Sequence, residues 1–264
     1  MLSLIPLLLY IAAAVLLVRA TRASPGVRQP VVVALATLGL LVHAVILFRS
    51  IETPHGLAIA ITDTASLVGF VVAASTVVGL AFMDLAALPA ALLTLAGLLA
   101  SGTGVLTGFR EIHAPQWEIT AHITLAALAA GWLSIAAITV LLLSWQDTRL
   151  RTRTPMGVLG LLPPVETLEI TLFRALTGGF IVLTFVLLTG LFFVTDVLAQ
   201  HLIHKMVLAI VAWLVFATLL WGRYRYGWRG RKARQFTTVG FVILALAYFG
   251  SKFVLENVLG RHWG

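Results

Sequence analysis

The chain of 264 residues contains no cysteine, which excludes disulfides, thiol nucleophiles and thiolate metal sites. Charge is also scarce: Asp, Glu, Lys and Arg make up 11% of the residues, against about a quarter in an ordinary soluble domain. Acids are the rarer sign, 10 against 18 Lys and Arg. There is no P-loop, no nucleophile elbow, no HExxH and no Gly-rich dinucleotide fingerprint, so hydrolase or nucleotide chemistry of the soluble type has no footing. Apolar residues dominate instead, at 60% with a mean hydropathy of +1.04, and a soluble globular protein is excluded. In such a chain a net charge of +8 sets topology, and binding to nucleic acid is not expected.

Apolar runs bounded by charge predict an all-α, polytopic membrane protein. The eight spans are expected at about residues 2–18, 30–48, 57–81, 85–106, 119–145, 167–194, 203–222 and 236–256, forming one transmembrane helical domain over 1–264. The first run has no basic n-region and no small-residue cleavage site, so it reads as a retained helix. The larger group of basic residues falls in alternate connections or just inside a neighbouring span: Arg19, Arg22 and Arg28, then Arg149, Arg151, Arg153 and Arg174, then Arg223, Arg225, Arg229, Arg231, Lys232 and Arg234. Arg49, Arg110, Lys205, Lys252 and Arg261 lie opposite. The positive-inside rule then places both termini outside the inner membrane, with Trp145, Trp221 and Trp228 near the inner interface and Trp117 and Trp263 near the outer one.

On this topology all seven histidines lie in the outer half of the membrane or in outer loops. His55, His113 and His262 sit in short polar connections and read as loop residues. His43 and His122 lie inside apolar runs, roughly 9 Å and 6 Å below the outer helix ends at about 1.5 Å per residue. At that depth an imidazole needs partners, which makes each either a functional group or a histidine satisfied by a neighbouring helix. Behind His122, Ala121, Leu125, Ala126, Ala129 and Ala130 form a small-residue surface suited to another helix or to a flat macrocycle. His201 and His204, spaced i, i+3, share a helical face and offer two metal ligands with Asp196 as the only nearby acid. Lys205 beside them is either a donor to an anionic ligand or a snorkelling lysine. Asp63, early in the third span, needs a basic partner or hydrogen bonds, and Lys252 is one candidate. Gly178, Gly179 and Gly190 read as close-packing positions.

Several segments resemble a known family. Ala121-His122 through Leu128 is similar to the histidine-bearing helix of the cytochrome c assembly (CcsA/CcmC/HemX) superfamily. Leu168-Glu169 through Phe173-Arg174, then Thr177-Gly178-Gly179-Phe180 and Thr189-Gly190, resembles its next helix. Lys205 with Trp213 and Phe216 resembles the start of the following one, and Gly227-Trp228-Arg229-Gly230-Arg231 its cytoplasmic turn. The likeness spans about 30–256 and is strongest after 166.

This resemblance implies a haem-handling membrane protein. Larger members present haem at the outer face through two histidine ligands and a tryptophan-rich loop. His122 matches the first ligand, whereas the second, expected near Ala247, is missing, and residues 195–205 hold no tryptophan. A bis-histidine site would pair His122 with His43, His201 or His204. The expected function is haem binding or presentation accessory to cytochrome c biogenesis. The alternative is a non-catalytic scaffold that keeps the fold and binds another membrane protein. An ion transporter is weaker, because the halves show no repeat and the spans hold few acids.

Overall fold

A computed structural model describes residues 2–23, 30–53, 56–58, 60–82, 87–103, 111–113, 117–153, 157–193 and 203–250. Apart from short connections and one small sheet, the described chain is helical. The helices are α1 (Leu4–Ala23), α2 (Pro30–Ile51), α3 (Ile61–Phe82), α4 (Ala87–Ser101), α5 (Trp117–Thr152), α6 (Val165–Phe193), α7 (Ile203–Tyr226) and α8 (Arg231–Ala245), which continues into one π turn at Leu246–Gly250. In hydrocarbon every backbone N–H and C=O must be satisfied within the segment, so long apolar runs can only be helices. Six of them, α1, α2, α3, α5, α6 and α7, are long and apolar enough to cross a membrane, and the protein is polytopic. Leu8, Leu41, Phe48, Val78 and Phe192 are exposed along these helices, the apolar surface that meets the bilayer.

The boundaries differ from the sequence reading at several ends: α1 and α7 run on to Ala23 and Tyr226, and α8 starts at Arg231. α5 has 36 residues and, at about 1.5 Å per residue, is far longer than a bilayer core of about 30 Å. Its polar end is held helical by Asp147 and Arg151, paired at 3.1 Å one turn apart. α4, by contrast, has 15 residues, and the expected extension over 104–106 lies outside the described residues. The third span begins at Ile61 because Gly56–Ala58 is drawn into a sheet. There β1 (Glu52–Thr53) pairs with β2 (Gly56–Ala58), which pairs with β3 (Glu111–His113), both antiparallel.

The chain groups into two compact units, residues 1–115 with 141–170, and residues 116–140 with 171–264. In the first, α1 packs on α2 and α4, and α3 packs on α2 and α4, which makes a closed ring of neighbours around buried Ala13, Ala36, Val72, Ala73 and Ala96. Small residues set this spacing: a Cβ on Gly97 would stand 3.1 Å from the Cα of Leu7. The hydroxyls of Thr76 and Thr94 donate to the carbonyls of Val72 and Ala90 one turn back and so bring no unsatisfied group into the apolar core. In the second unit α7 packs on α8, with Ala212, Phe216 and Leu219 buried. The ring of Trp132 on α5 occupies the space over Gly178 on α6, where any side chain would collide with it.

Candidate functional site

The two intramembrane histidines are held in opposite ways. His43 on α2 is 0% exposed. Its Nδ1 lies 3.3 Å from the Tyr10 hydroxyl on α1, and its Nε2 lies 2.8 Å from the Ser66 hydroxyl on α3. The Ser66 hydroxyl is also 2.6 Å from that of Thr103, just past the end of α4, which in turn lies 2.7 Å from the Ala100 carbonyl. Phe70 and Tyr10 meet the imidazole edge to face, with ring centroids 5.7 Å and 6.0 Å away. Gly39 makes room for the phenol, since a Cβ there would be 2.9 Å from Tyr10 Cε1. One residue from each helix of the ring thus closes a buried polar chain. Neither His43 nitrogen is open to a metal, and its candidacy as second ligand gives way to a structural role.

His122 sits near the start of α5, half buried. Its Nδ1 is 2.9 Å from Oγ1 of Thr189 on α6. The Thr189 hydroxyl spends its only proton on the Val186 carbonyl at 3.0 Å, so it can only accept from the imidazole. His122 therefore carries its proton on Nδ1 and leaves Nε2 unprotonated, with no hydrogen-bond partner among the described residues. The ring lies against Gly190, where a Cβ would be 3.5 Å from Cε1. A histidine whose N–H is fixed by an outer-shell acceptor while the opposite nitrogen stays free is the usual arrangement of a metal-ligating imidazole. Such an imidazole is chemically able to ligate a metal ion through Nε2.

Below this pair the helices are locked by aromatic contacts. Trp213 on α7 donates from Nε1 to the Thr184 hydroxyl on α6 at 2.9 Å and stacks on Phe180 at 5.3 Å. The same α6 therefore carries Thr189 one and a half turns beyond its anchor to α7.

His201, His55 and His262 lie outside the described residues, as do Asp196 and Lys252. His204 falls in the first turn of α7, although its side chain is outside the described set. Lys205 follows it, half buried and engaged in an interaction. His113 belongs to β3. Asp63 is buried and held by hydrogen bonds, its Oδ1 accepting from the Ser50 hydroxyl at 2.9 Å and its Oδ2 from the Ala60 N–H at 3.1 Å. Among the described residues no cluster of three or more His, Asp or Glu could hold a metal ion. The sequence reading missed Tyr10, Ser66 and Thr103 altogether. It took Thr189 only as part of a resembling segment, whereas a hydroxyl at the depth of His122 was the available signal.

A model of the family described as cytochrome C assembly protein matches residues 55–259. The chain belongs to this family. It is 40% identical over 137 residues to the inner membrane protein YpjD of Escherichia coli, covering 52% of either chain. An uncharacterized 28.8 kDa protein of Azospirillum brasilense is 32% identical over 150 residues, covering 56% of this chain and 55% of its own. The cytochrome c biogenesis protein CcsA of Synechococcus is 31% identical over 97 residues, 36% of this chain and 30% of CcsA. The chain thus spans about half the length of its first relatives. No solved structure matches. The family match takes in both His122 and Thr189, and also the basic corner between α7 and α8.

Proposed function

We propose that this protein, a multi-pass protein of the bacterial inner membrane, binds haem near the outer face and serves cytochrome c biogenesis as an accessory factor. The observation that carries this reading is the His122–Thr189 pair, which presents a free Nε2 from a half-buried position. Membership of the cytochrome c assembly family and the similarity to CcsA give the ligand its class. Bound haem would supply the iron that accepts this nitrogen. The protein's part is to fix the tautomer through Thr189 and to keep the imidazole against Gly190, with no side chain crowding it. With His43 enclosed, His201 and His204 are the sequence candidates for the second ligand.

The test is an absorption spectrum of the full chain purified from cells supplied with haem. A Soret band is expected, and His122→Ala should remove or shift it in a protein that stays folded. Wild type that shows no Soret band and takes up no haem on titration overturns the reading. The scaffold reading, which the tryptophan-free segment 195–205 favours, would then replace it. The location depends on topology, so alkaline phosphatase fused after Arg261 should be active. An inactive fusion would put the His122 end of α5 on the cytoplasmic side.

A further inference from the structure

Beyond haem, the geometry points to a second binding surface: we infer that the corner joining α7 to α8 holds the headgroups of anionic phospholipids. Arg223, Arg225, Arg229, Arg231, Lys232 and Arg234 occupy this short stretch, and the sequence has no acid between Asp196 and Glu256. Arg225, Arg229, Arg231 and Lys232 are exposed, and none of the four has an acidic partner among the described residues. Around them stand Trp221, Tyr224 and Tyr226, all strongly exposed, the residue types that settle at the level of lipid headgroups.

A topological signal needs only that positive charge be present, whereas this corner is built. The N–H groups of Gly227 and Trp228 donate back to the carbonyls of Arg223 and Gly222 at 3.1 Å and 3.2 Å, which caps α7. Gly227 and Gly230 take the positive φ values of 65° and 60° that turn the chain into α8. The Trp228 ring folds onto Gly222, lies tilted against Phe236 with centroids 5.4 Å apart and carries the Lys232 ammonium 4.7 Å above its face. Arg223 reaches from its place over Phe173 to the Trp228 carbonyl at 3.4 Å. Arg229, within this turn, and Arg231, just after it, make no side-chain hydrogen bond, ion pair or ring contact among the described residues. A rigid frame that holds unneutralised cationic groups at a membrane interface loses little entropy when phosphates arrive, and charge-assisted hydrogen bonds to phosphate are strong from arginine and lysine alike.

The test uses the full-length protein in detergent with phosphatidylglycerol or phosphatidylcholine added, and counts retained lipid by native mass spectrometry. Wild type should retain phosphatidylglycerol in preference. Each basic residue near the surface is worth about fivefold in affinity, so Arg225→Gln/Arg229→Gln/Arg231→Gln should lower retention by about two orders of magnitude. The charge-keeping set Arg225→Lys/Arg229→Lys/Arg231→Lys should keep the preference. Arg149→Gln/Arg151→Gln/Arg153→Gln, which removes the same charge from the end of α5, should leave it unchanged. Equal retention of both lipids by wild type overturns the inference. So does equal loss in the two glutamine sets, which would make the attraction diffuse, or loss in the lysine set, which would make the arginines structural.

Discussion

His43 and His122 are the same residue at similar expected depth in apolar helices, yet the protein treats them oppositely. Around His43 it supplies a phenol and a hydroxyl, one for each nitrogen, and leaves no surface exposed. Around His122 it supplies a single acceptor, whose own proton is already committed, and leaves the second nitrogen bare. The difference teaches that burial alone does not set a histidine's chemistry in a membrane. An imidazole satisfied on both sides can only tie helices together, whereas one satisfied on one side keeps a nitrogen able to bind.

Four substitutions would sharpen or break this contrast. The largest effect is expected from His122→Ala, which should abolish or displace the Soret band while thermal stability in detergent stays close to wild type. His43→Ala should do the reverse. It opens a cavity beside Tyr10 and Phe70 and strands a buried hydroxyl, so a loss of about 2–4 kcal/mol is expected in reversible unfolding by denaturing detergent. Haem per folded molecule should not change. If His43→Ala removed haem from a stable protein, the contrast between the two sites would be wrong. Thr189→Val keeps the shape and removes the acceptor that fixes the His122 tautomer. Loss of such an outer-shell partner typically costs about 10–100-fold in ligand affinity, to be read by haem titration, and Thr189→Ser should restore it. The smallest change is Tyr10→Phe, which deletes a hydrogen bond 3.3 Å long and should cost about 0.6 kcal/mol, the usual worth of one such bond between membrane helices.

The spans were legible in the sequence because a bilayer imposes one requirement, a long apolar run, and one solution, a helix. Lengths were less so. The polar end of α5 is kept helical by a pairing of Asp147 with Arg151 that hydropathy does not register. The sheet of β1, β2 and β3 was invisible, because two or three residues carry no period and β3 lies more than fifty positions beyond β2. His122 could be singled out by its depth, but its acceptor is 67 positions away on the next helix. His43 looked equally promising for the same reason. Its saturation by Tyr10 and Ser66, at separations of 33 and 23, is a property of three helices together.

In the second unit three glycines face rings: Gly178 lies under Trp132, Gly222 under Trp228 and Gly240 under Phe216. None of these places has room for a methyl group while the ring stays where it is. The consequence reaches into the mutational history open to this protein. A step from glycine to alanine at any of the three is blocked until the facing aromatic has first become smaller, and a smaller aromatic leaves a gap that an alanine can then fill. Each couple should therefore drift as a linked pair along a narrow path, with the order of the two steps fixed by which one the packing tolerates alone.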